Sequence, residues 1–454
     1  MSFSNPWKMG CWFLPILGSL VFAVGASAQT TRYVVPVNPG AAAPYTNWVT
    51  AATNVQDAVS AATAGDTVWV SNGTYYLGSP LEITKGVTAR SVNGFEATVL
   101  DAQYPVRTNR CLYMNHPAGV VDGFTVRGGH APGDYFDFPG NCGGGVFFNN
   151  GGCVRRCRIT GNSATRDGGG VFFYDGSAGG VLEHCEIISN SAQWVGGVCM
   201  GAVTGIVRNC VIAYNTASSR AGAARIGEGQ MCHCTVVLNN AGDRAGGIEG
   251  SGLIVNSILY FNTAVSDNNY SEGPVFETSC TTPDPGAGTG NITNDPVFVD
   301  AAAGDFRLTT NSPCVDAGSP TNQLAGDING IPRPLDGNND GTNAWDMGAH
   351  EFVHPEADSD ADWLRDGDEI LAGTDPLDPL SLLEVSRLRF QASAPAVSWS
   401  SVNGKTYALS RSTNLPAGAW TPVQSGIAGA APMNTVTDAT AVGNGPWHYR
   451  IELE

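Results

Sequence analysis

Cys157, Cys185, Cys210, Cys234 and Ser257 follow one another at intervals of 28, 25, 24 and 23 residues. Five residues after each stands an asparagine: Asn162, Asn190, Asn215, Asn239 and Asn262. A period of this length marks a solenoid, in which each repeat buries its apolar face only against its neighbours. Each unit holds a short alternating segment such as Cys185-Glu186-Ile187, a polar corner, and then paired glycines. That is too short and too glycine-rich for a helix pair. The economical solution is a parallel β-helix, one coil per repeat, with coils about 4.8 Å apart.

Stacked coils turn equivalent residues into columns. The cysteines are expected to face the narrow interior, where a thiol behaves as a small hydrophobe. The column three residues before each of them is also apolar: Val154, Leu182, Val207, Met231 and Ile254. An asparagine side chain carries both donor and acceptor, so the asparagine column is expected to bond coil to coil through a corner. The glycine pairs are expected to supply backbone conformations closed to other residues. Upstream, DGFTVRGG from Asp122 fits an earlier coil with Phe124 in the cysteine column.

Composition agrees: 58 glycines and only 14% charged residues suit a turn-rich β protein better than a helical bundle. The net charge of −18 is unevenly spread. Residues 115–262 hold nine arginines against ten acids, whereas residues 295–384 hold 19 acids against three arginines. Nucleic acid is an unsuitable partner for such a chain, because phosphate contacts need a basic face. The acidic segment suits a hard cation such as calcium. Residues 1–28 combine Lys8, an apolar run over 11–26 and Ala26-Ser27-Ala28, the layout of a secretory signal peptide. With no other run of spanning length, the expectation is a monomeric protein, secreted or at the cell surface.

NVQDAVSAATAGDTVWVSNGTY from Asn54 resembles the start of secreted bacterial right-handed parallel β-helix proteins of the pectate-lyase-like superfamily. The resemblance implies that Val55, Val59 and Ala62 form the apolar stripe of a short helix plugging the open end of the solenoid. DPVFVDAAAGDFRLTTNSPCVDAG from Asp295, then DINGIPRP and DMGAHEF, resemble the choice-of-anchor Q type of that superfamily. Such folds carry lyases, hydrolases, adhesins and inert scaffolds, so the fold is implied more strongly than the chemistry. DSDADWLRDGDEILAGTDPLDPLS from Asp358 resembles the thrombospondin type 3 calcium repeat. Asp358, Asp360, Asp362, Asp366 and Glu369 would fill positions 1, 3, 5, 9 and 12 of a calcium loop, with the Leu364 carbonyl at position 7. Trp363 stands where glycine normally makes the sharp turn. DGNNDG from Asp336 is a lesser acidic turn.

The fold expected is therefore all-β. It comprises a signal peptide (1–28), a right-handed parallel β-helix with its capping helix and anchor-like segment (32–353), an acidic calcium-loop linker (354–384) and a small β-sandwich (385–454). In the sandwich, Asn403-Gly404 reads as a hairpin turn. Trp399, Tyr407, Trp420 and Trp447 read as its core rather than a sugar platform. Of the eleven cysteines beyond the signal, the four in the column should be buried thiols, and Cys280 with Cys314 the disulfide.

The functional candidates lie along one edge. Before the glycine pairs runs a second column, Asp167, Trp194, Arg220 and Arg244, and HAPGDYFDFPGN nearby adds His130, Asp134, Tyr135, Asp137 and Phe138. Acid, cation and aromatic together suit a sugar polymer. Trp194, Arg220, Arg244 and Tyr135 are the expected binding residues, and Asp134, Asp137 and Asp167 the expected catalytic ones. The leading reading is a calcium-stabilised protein binding polysaccharide or cell-surface glycans. The alternatives are a polysaccharide lyase or glycoside hydrolase acting on an acidic polymer, or a surface adhesin. In lyases of the superfamily a cation neutralises the uronate while a basic residue takes the adjacent proton. Beyond the signal only Lys85 and Lys405 are lysines, so here that base would be Arg or His. A hydrolase would need clustered carboxylates. His184 and His233, each one residue before a column cysteine, are expected to be stacked corner residues. The sequence holds no P-loop, dinucleotide fingerprint, serine-hydrolase elbow or zinc signature.

Overall fold

The computed structural model describes residues 29–134, 137–174, 179–201, 204–271, 273–320, 324–391, 394–414, 419–441 and 445–454. Residues 1–28, read above as a signal peptide, and Tyr135 lie outside the described residues. Among those described, no helix is long and apolar enough to cross a membrane.

Four parallel sheets wind around a common interior. The first has ten strands, from Thr31–Val34 to Val275–Glu277, and the second nine, from Gly73–Tyr76 to Cys280–Thr281. The third has seven, from Leu81–Ile83 to Ile248–Gly250, and a narrow corner sheet has five, from His130–Ala131 to Asn240–Ala241. The expected apolar column is in register, Val154 on Leu182 on Val207 on Met231 on Ile254. Opposite it run Ile159, Ile187, Ile212, Val236 and Leu259. All of these are buried.

The asparagine column forms a continuous chain of amides. Asn190 Oδ1 accepts both the backbone N–H and the side-chain Nδ2 of Asn162, at 3.1 and 3.0 Å. Asn215, Asn239 and Asn262 accept the same two donors from the coil before, at 2.9–3.0 Å. Each Nδ2 also reaches an interior carbonyl, that of Ile187 in the case of Asn215. The chain continues one step further than the repeat suggests, to Asn269, which caps a shortened coil.

The glycine pairs act differently from the expectation. The left-handed residue of this corner is the one before each asparagine: Gly161, Ser189, Tyr214, Leu238 and Phe261, with φ from 55° to 62°. Of the pairs Gly169-Gly170, Gly196-Gly197 and Gly246-Gly247, none has positive φ. They are needed for room. A Cβ on Gly170 would lie 3.0 Å from Asn190 Nδ2, and one on Gly169 only 2.2 Å from the Ser191 carbonyl oxygen. Glycine and asparagine columns are thus two halves of one corner.

Each column thiol accepts or donates a long hydrogen bond between coils: Phe124 N–H meets Cys157 Sγ and Cys157 N–H meets Cys185 Sγ, both at 3.4 Å. Ser257 keeps the arrangement, its Oγ accepting the Cys234 N–H at 3.1 Å, and Ser279 repeats it. Burial pushes the Cys157, Cys185 and Cys210 thiols well above their ordinary range, so they are inert. Phe124 occupies the column as expected.

The helix Val55–Ala61 buries Val55, Ala58 and Val59 against the first coils, with Ala62 just beyond. Lys85 Nζ donates to the Ser60 and Ala62 carbonyls at 2.8 and 2.7 Å, satisfying orphan carbonyls at its C-terminus. Past the last coil the chain returns along the outside of the second sheet. Phe306 and Ala349 cover Val211, Ala213 and Val237 there. Arg333, fully buried, ties this segment to the coils: it donates to Asn209 Oδ1, to His233 Nδ1 and to the Gly348 carbonyl, and pairs with Glu351 at 3.0 Å. His184 and His233 bond to Asn209 and Asn256, as corner residues would.

Two expectations are corrected. Cys280 and Cys314 meet in one buried cluster, but both are free thiols, and Cys280 Sγ donates to the Asn294 carbonyl instead. Asn403-Gly404 is a turn, with Gly404 at φ 86°, yet the strands it joins do not pair. Ala394–Ser400 and Thr406–Ser412 belong to two different three-stranded antiparallel sheets, so the turn crosses from one to the other. Trp399 and Tyr407 are fully buried between them, as core. Trp420 and Trp447 are part-exposed, each with an arginine over its ring.

Asn215→Ala would leave the Asn190 N–H without its acceptor and should cost about 1–3 kcal/mol in denaturant unfolding. Cys210→Ser, which only repeats what Ser257 already does, should cost less than about 1 kcal/mol. Equal losses in the two variants would contradict the distinct roles given to the columns.

Candidate functional site

Outward-facing residues of the third sheet also stack in register, because alternate residues of a strand point to opposite faces. Tyr113, Phe147, Phe172, Cys199, Arg225 and Glu249 form one column. Phe147 lies parallel to Tyr113 and Phe172, with ring centroids 5.7 and 5.6 Å apart. Phe138, from the insertion, leans edge-on over Phe172 at 5.8 Å. Where the aromatics give way to charge an open cleft of about 400 Å³ begins, lined by Phe138, Arg166, Asp167, Phe172, Cys199 and Arg225.

Asp167 is 4% exposed. One of its oxygens lies 3.3 Å from Arg166 Nε, and the other has no hydrogen-bond partner. Burial pushes its carboxyl upward, against the pull of Arg225, Arg166 and Arg220. Glu249 Oε1 gathers Arg220, Arg244 and Arg225 at 3.3, 3.3 and 3.6 Å, while its buried Oε2 has no partner. Four arginines therefore face two carboxylates.

The structure brings Asp167, Arg220 and Arg244 to this edge, but not as a free ladder of subsites. Both arginines are held by Glu249. Trp194 is half-buried against the apolar cluster that includes Phe172 and Val195, with Arg166 and Arg220 over its ring at 4.9 and 5.2 Å. The column also slips by one residue here, Asp167 pairing with Val195 while Arg220 pairs with Arg244. Asp134 and Asp137 are exposed in their own turn, where the Asp137 N–H bonds Asp134 Oδ1 at 3.0 Å. The charges acting on Asp167 include Arg225, Arg166, Arg220 and Glu249. Arg166, Arg225 and Glu249 were missed. The signal for the last two was the middle residue of Val171-Phe172-Phe173, Val198-Cys199-Met200, Ala224-Arg225-Ile226 and Ile248-Glu249-Gly250.

The acidic loop forms a second candidate. Asp358, Asp360 and Asp362 present carboxylate oxygens within 4.8 Å of one another. Both oxygens of Asp360, Oδ2 of Asp362 and both oxygens of the fully buried Glu369 are sequestered without a hydrogen-bond partner. Such a set fits a calcium ion, which takes oxygen ligands and offsets their mutual repulsion. Asp358 instead accepts the Asp362 and Trp363 N–H groups at 3.1 and 2.9 Å, shaping the loop. Asp362 Oδ1 does so for Leu364 N–H at 2.7 Å. Asp366 departs from its expected place as a ligand: both its oxygens are taken by Ser359, at 2.7 Å each. Trp363 makes the glycine's turn itself, at φ 81° and 94% exposed.

Fold and cleft together define a parallel β-helix with an arginine-lined outer edge. Among solved structures the chain is similar to the crystal structure of pectate lyase Pel9A, at 13% identity and a TM-score of 0.42, covering 72% of this chain and 98% of that one. No protein-family model and no curated protein matches the chain.

Two results are expected of the loop. Burial and the neighbouring aspartates raise Glu369 to about 7 and Asp360 to about 6. Raised carboxyl values mean that the metal-free loop binds more protons folded than unfolded. It should therefore lose stability as pH rises through that window. Calcium, which binds the ionised form, should bind more weakly as pH falls through it and should release protons on binding, as calorimetry in buffers of different ionisation enthalpy would show. Trp363→Gly relieves a left-handed non-glycine residue worth about 1 kcal/mol, so it should tighten calcium binding several-fold. An unchanged affinity would mean that the turn is not strained.

Proposed function

We propose that the protein binds an anionic polysaccharide along the outer edge of its third sheet, and that calcium orders the acidic loop after the solenoid. The observation that carries this reading is the convergence of Arg166, Arg220, Arg225 and Arg244 around the cleft, with Asp167 and Glu249 too few to balance them. Guanidinium groups held by carboxylates are pre-oriented to receive carboxylate or sulfate in paired hydrogen bonds. The aromatic column from Tyr113 to Phe172 runs up to the charged end. The secretory layout of residues 1–28 supports a role outside the cell, where such polymers are met.

A second reading, cleavage of the polymer, is favoured by Asp167: a carboxylate in the cleft, buried, raised and with one unpaired oxygen is placed to take or give a proton.

Binding of polygalacturonate, alginate and heparin, followed by calorimetry at two salt concentrations, tests both. Arg225→Ala should weaken binding by about tenfold or more, Arg225→Lys less, and added salt should weaken the parent protein. Binding indifferent to Arg225 and to salt would overturn the reading. Incubation of the same polymers distinguishes lyase from hydrolase by unsaturated ends against new reducing ends alone, and Asp167→Asn should abolish either. Binding without new ends leaves the binding role and removes the catalytic one.

A further inference from the structure

Two cavities lie away from the cleft, beside the segment that returns over the second sheet. One, of about 520 Å³, is lined by Arg158, Glu186, Tyr214, Asp305, Arg307 and Asn329. Another, of about 410 Å³, shares Glu186, Ile328 and Asn329 with it and runs on towards Trp69, Arg90 and Phe95. The two form one groove passing Ile328 and Asn329.

We infer that this groove is a separate binding site for a neutral oligosaccharide. Its lining arginines and carboxylates balance four to four: Arg158 Nε meets Glu186 at 2.6 Å, Arg307 meets Asp305 through two bonds at 2.9 and 2.5 Å, and Arg90 and Arg156 share Asp122, Arg90 at 3.5 Å. Arg158 also holds Glu96, which lines the second cavity, at 2.9 Å. His350 adds no charge, since burial drives it down to about 4. The groove is thus electroneutral yet dense in fixed donors and acceptors. An anionic polymer gains from each arginine what it loses to the carboxylate beside it, and an apolar ligand would strip water from charges it cannot replace. A polyhydroxylated neutral ligand can use both members of every pair. Tyr214 supplies the ring face. It is 38% exposed because its left-handed backbone, one residue before Asn215, turns the side chain away from the coil interior. Asn329 adds an exposed amide at the junction of the two cavities. The cleft of the third sheet has none of this balance, so the two sites differ in ligand class.

The test is calorimetric titration of the full chain with cellohexaose, xylohexaose and mannohexaose. At least one should bind. Tyr214→Ala and Asn329→Ala should each weaken it by about tenfold, while Arg225→Ala leaves it unchanged. Asn329 is exposed, so its truncation serves if loss of the Tyr214 ring disturbs the fold, which circular dichroism would report. The inference is overturned if none of the three sugars binds at millimolar concentration, or if Asn329→Ala binds like the parent. It is also overturned if Arg225→Ala abolishes neutral-sugar binding, which would put the sugar in the cleft. Loss of polygalacturonate binding in Arg225→Ala with the neutral sugar retained would leave both readings standing on separate sites.

Discussion

The solenoid depends on a corner at which one amide oxygen receives two donors from the coil before it. Asn215 Oδ1, for example, holds both the backbone and the side chain of Asn190, so a slip of one residue would break both bonds at once. Two further conditions follow. The chain must enter the corner left-handed, which costs about 1–2 kcal/mol for a residue other than glycine, and Ser189, Tyr214, Leu238 and Phe261 all bear that cost. The facing backbone must also come close enough that a side chain would collide with the amide, which is where the glycine column stands. One hydrogen-bonded amide per coil therefore fixes the register, selects glycine opposite, and sets a left-handed turn at the preceding residue.

Fixed register makes every outward column a linear array whose members meet only their neighbours above and below. On the first sheet this yields alternating charge, Arg90, Asp122, Arg155, Glu183 and Arg208, with consecutive pairs at 3.5, 3.1, 3.9 and 2.5 Å. On the third sheet it yields aromatics passing into Arg225 and Glu249. On the second sheet the later coils carry apolar residues, because the returning segment covers them. The same backbone thus presents an ion-paired face, an arginine-lined cleft and a covered face, and only the side chains of non-interior positions differ.

The interior was legible because its columns repeat at a nearly constant interval. Val154 on Leu182 and Asn162 on Asn190 needed only counting, and so did Phe124. The cleft was less legible. Trp194 lies at the counted position, but the column slips there to Val195, and the ring is taken up by Arg166 and Arg220. Arg225 and Glu249 share a column only through strand pairing, which coils of unequal length hide from counting. The glycine pairs were assigned to turning because sequence shows a missing side chain, not what approaches it. In the acidic loop the spacing of acids was visible, but not that Ser359 occupies Asp366 or that Trp363 adopts the glycine conformation.

The acidity of residues 295–384 has a structural origin that charge counting misses. Residues 309–365 hold no strand or helix among those described, so their backbone N–H groups need acceptors that a sheet would otherwise supply. Carboxylates supply them. Asp316 accepts from Gly337 and Asn338, Asp336 from Asp340 and Gly341, and Asp327 from Asn329, Ile331 and Glu351. Asp346 accepts from Asp316 and Phe352, and Glu351 from Leu335 and Asp346, beside the buried Arg333. Most of the motifs DINGIPRP and DMGAHEF is accounted for in this way, as a polar lock that seats the returning segment on the coils. Asp360, Asp362 and Glu369 differ: Asp360 and Asp362 share a carboxylate cluster with Asp358, and both oxygens of Asp360, one of Asp362 and both of Glu369 are sequestered without a hydrogen-bond partner. A surface of solvated acids would leave such oxygens to water, and a folding role would give them N–H partners. Burial with neither is the condition a bound cation satisfies.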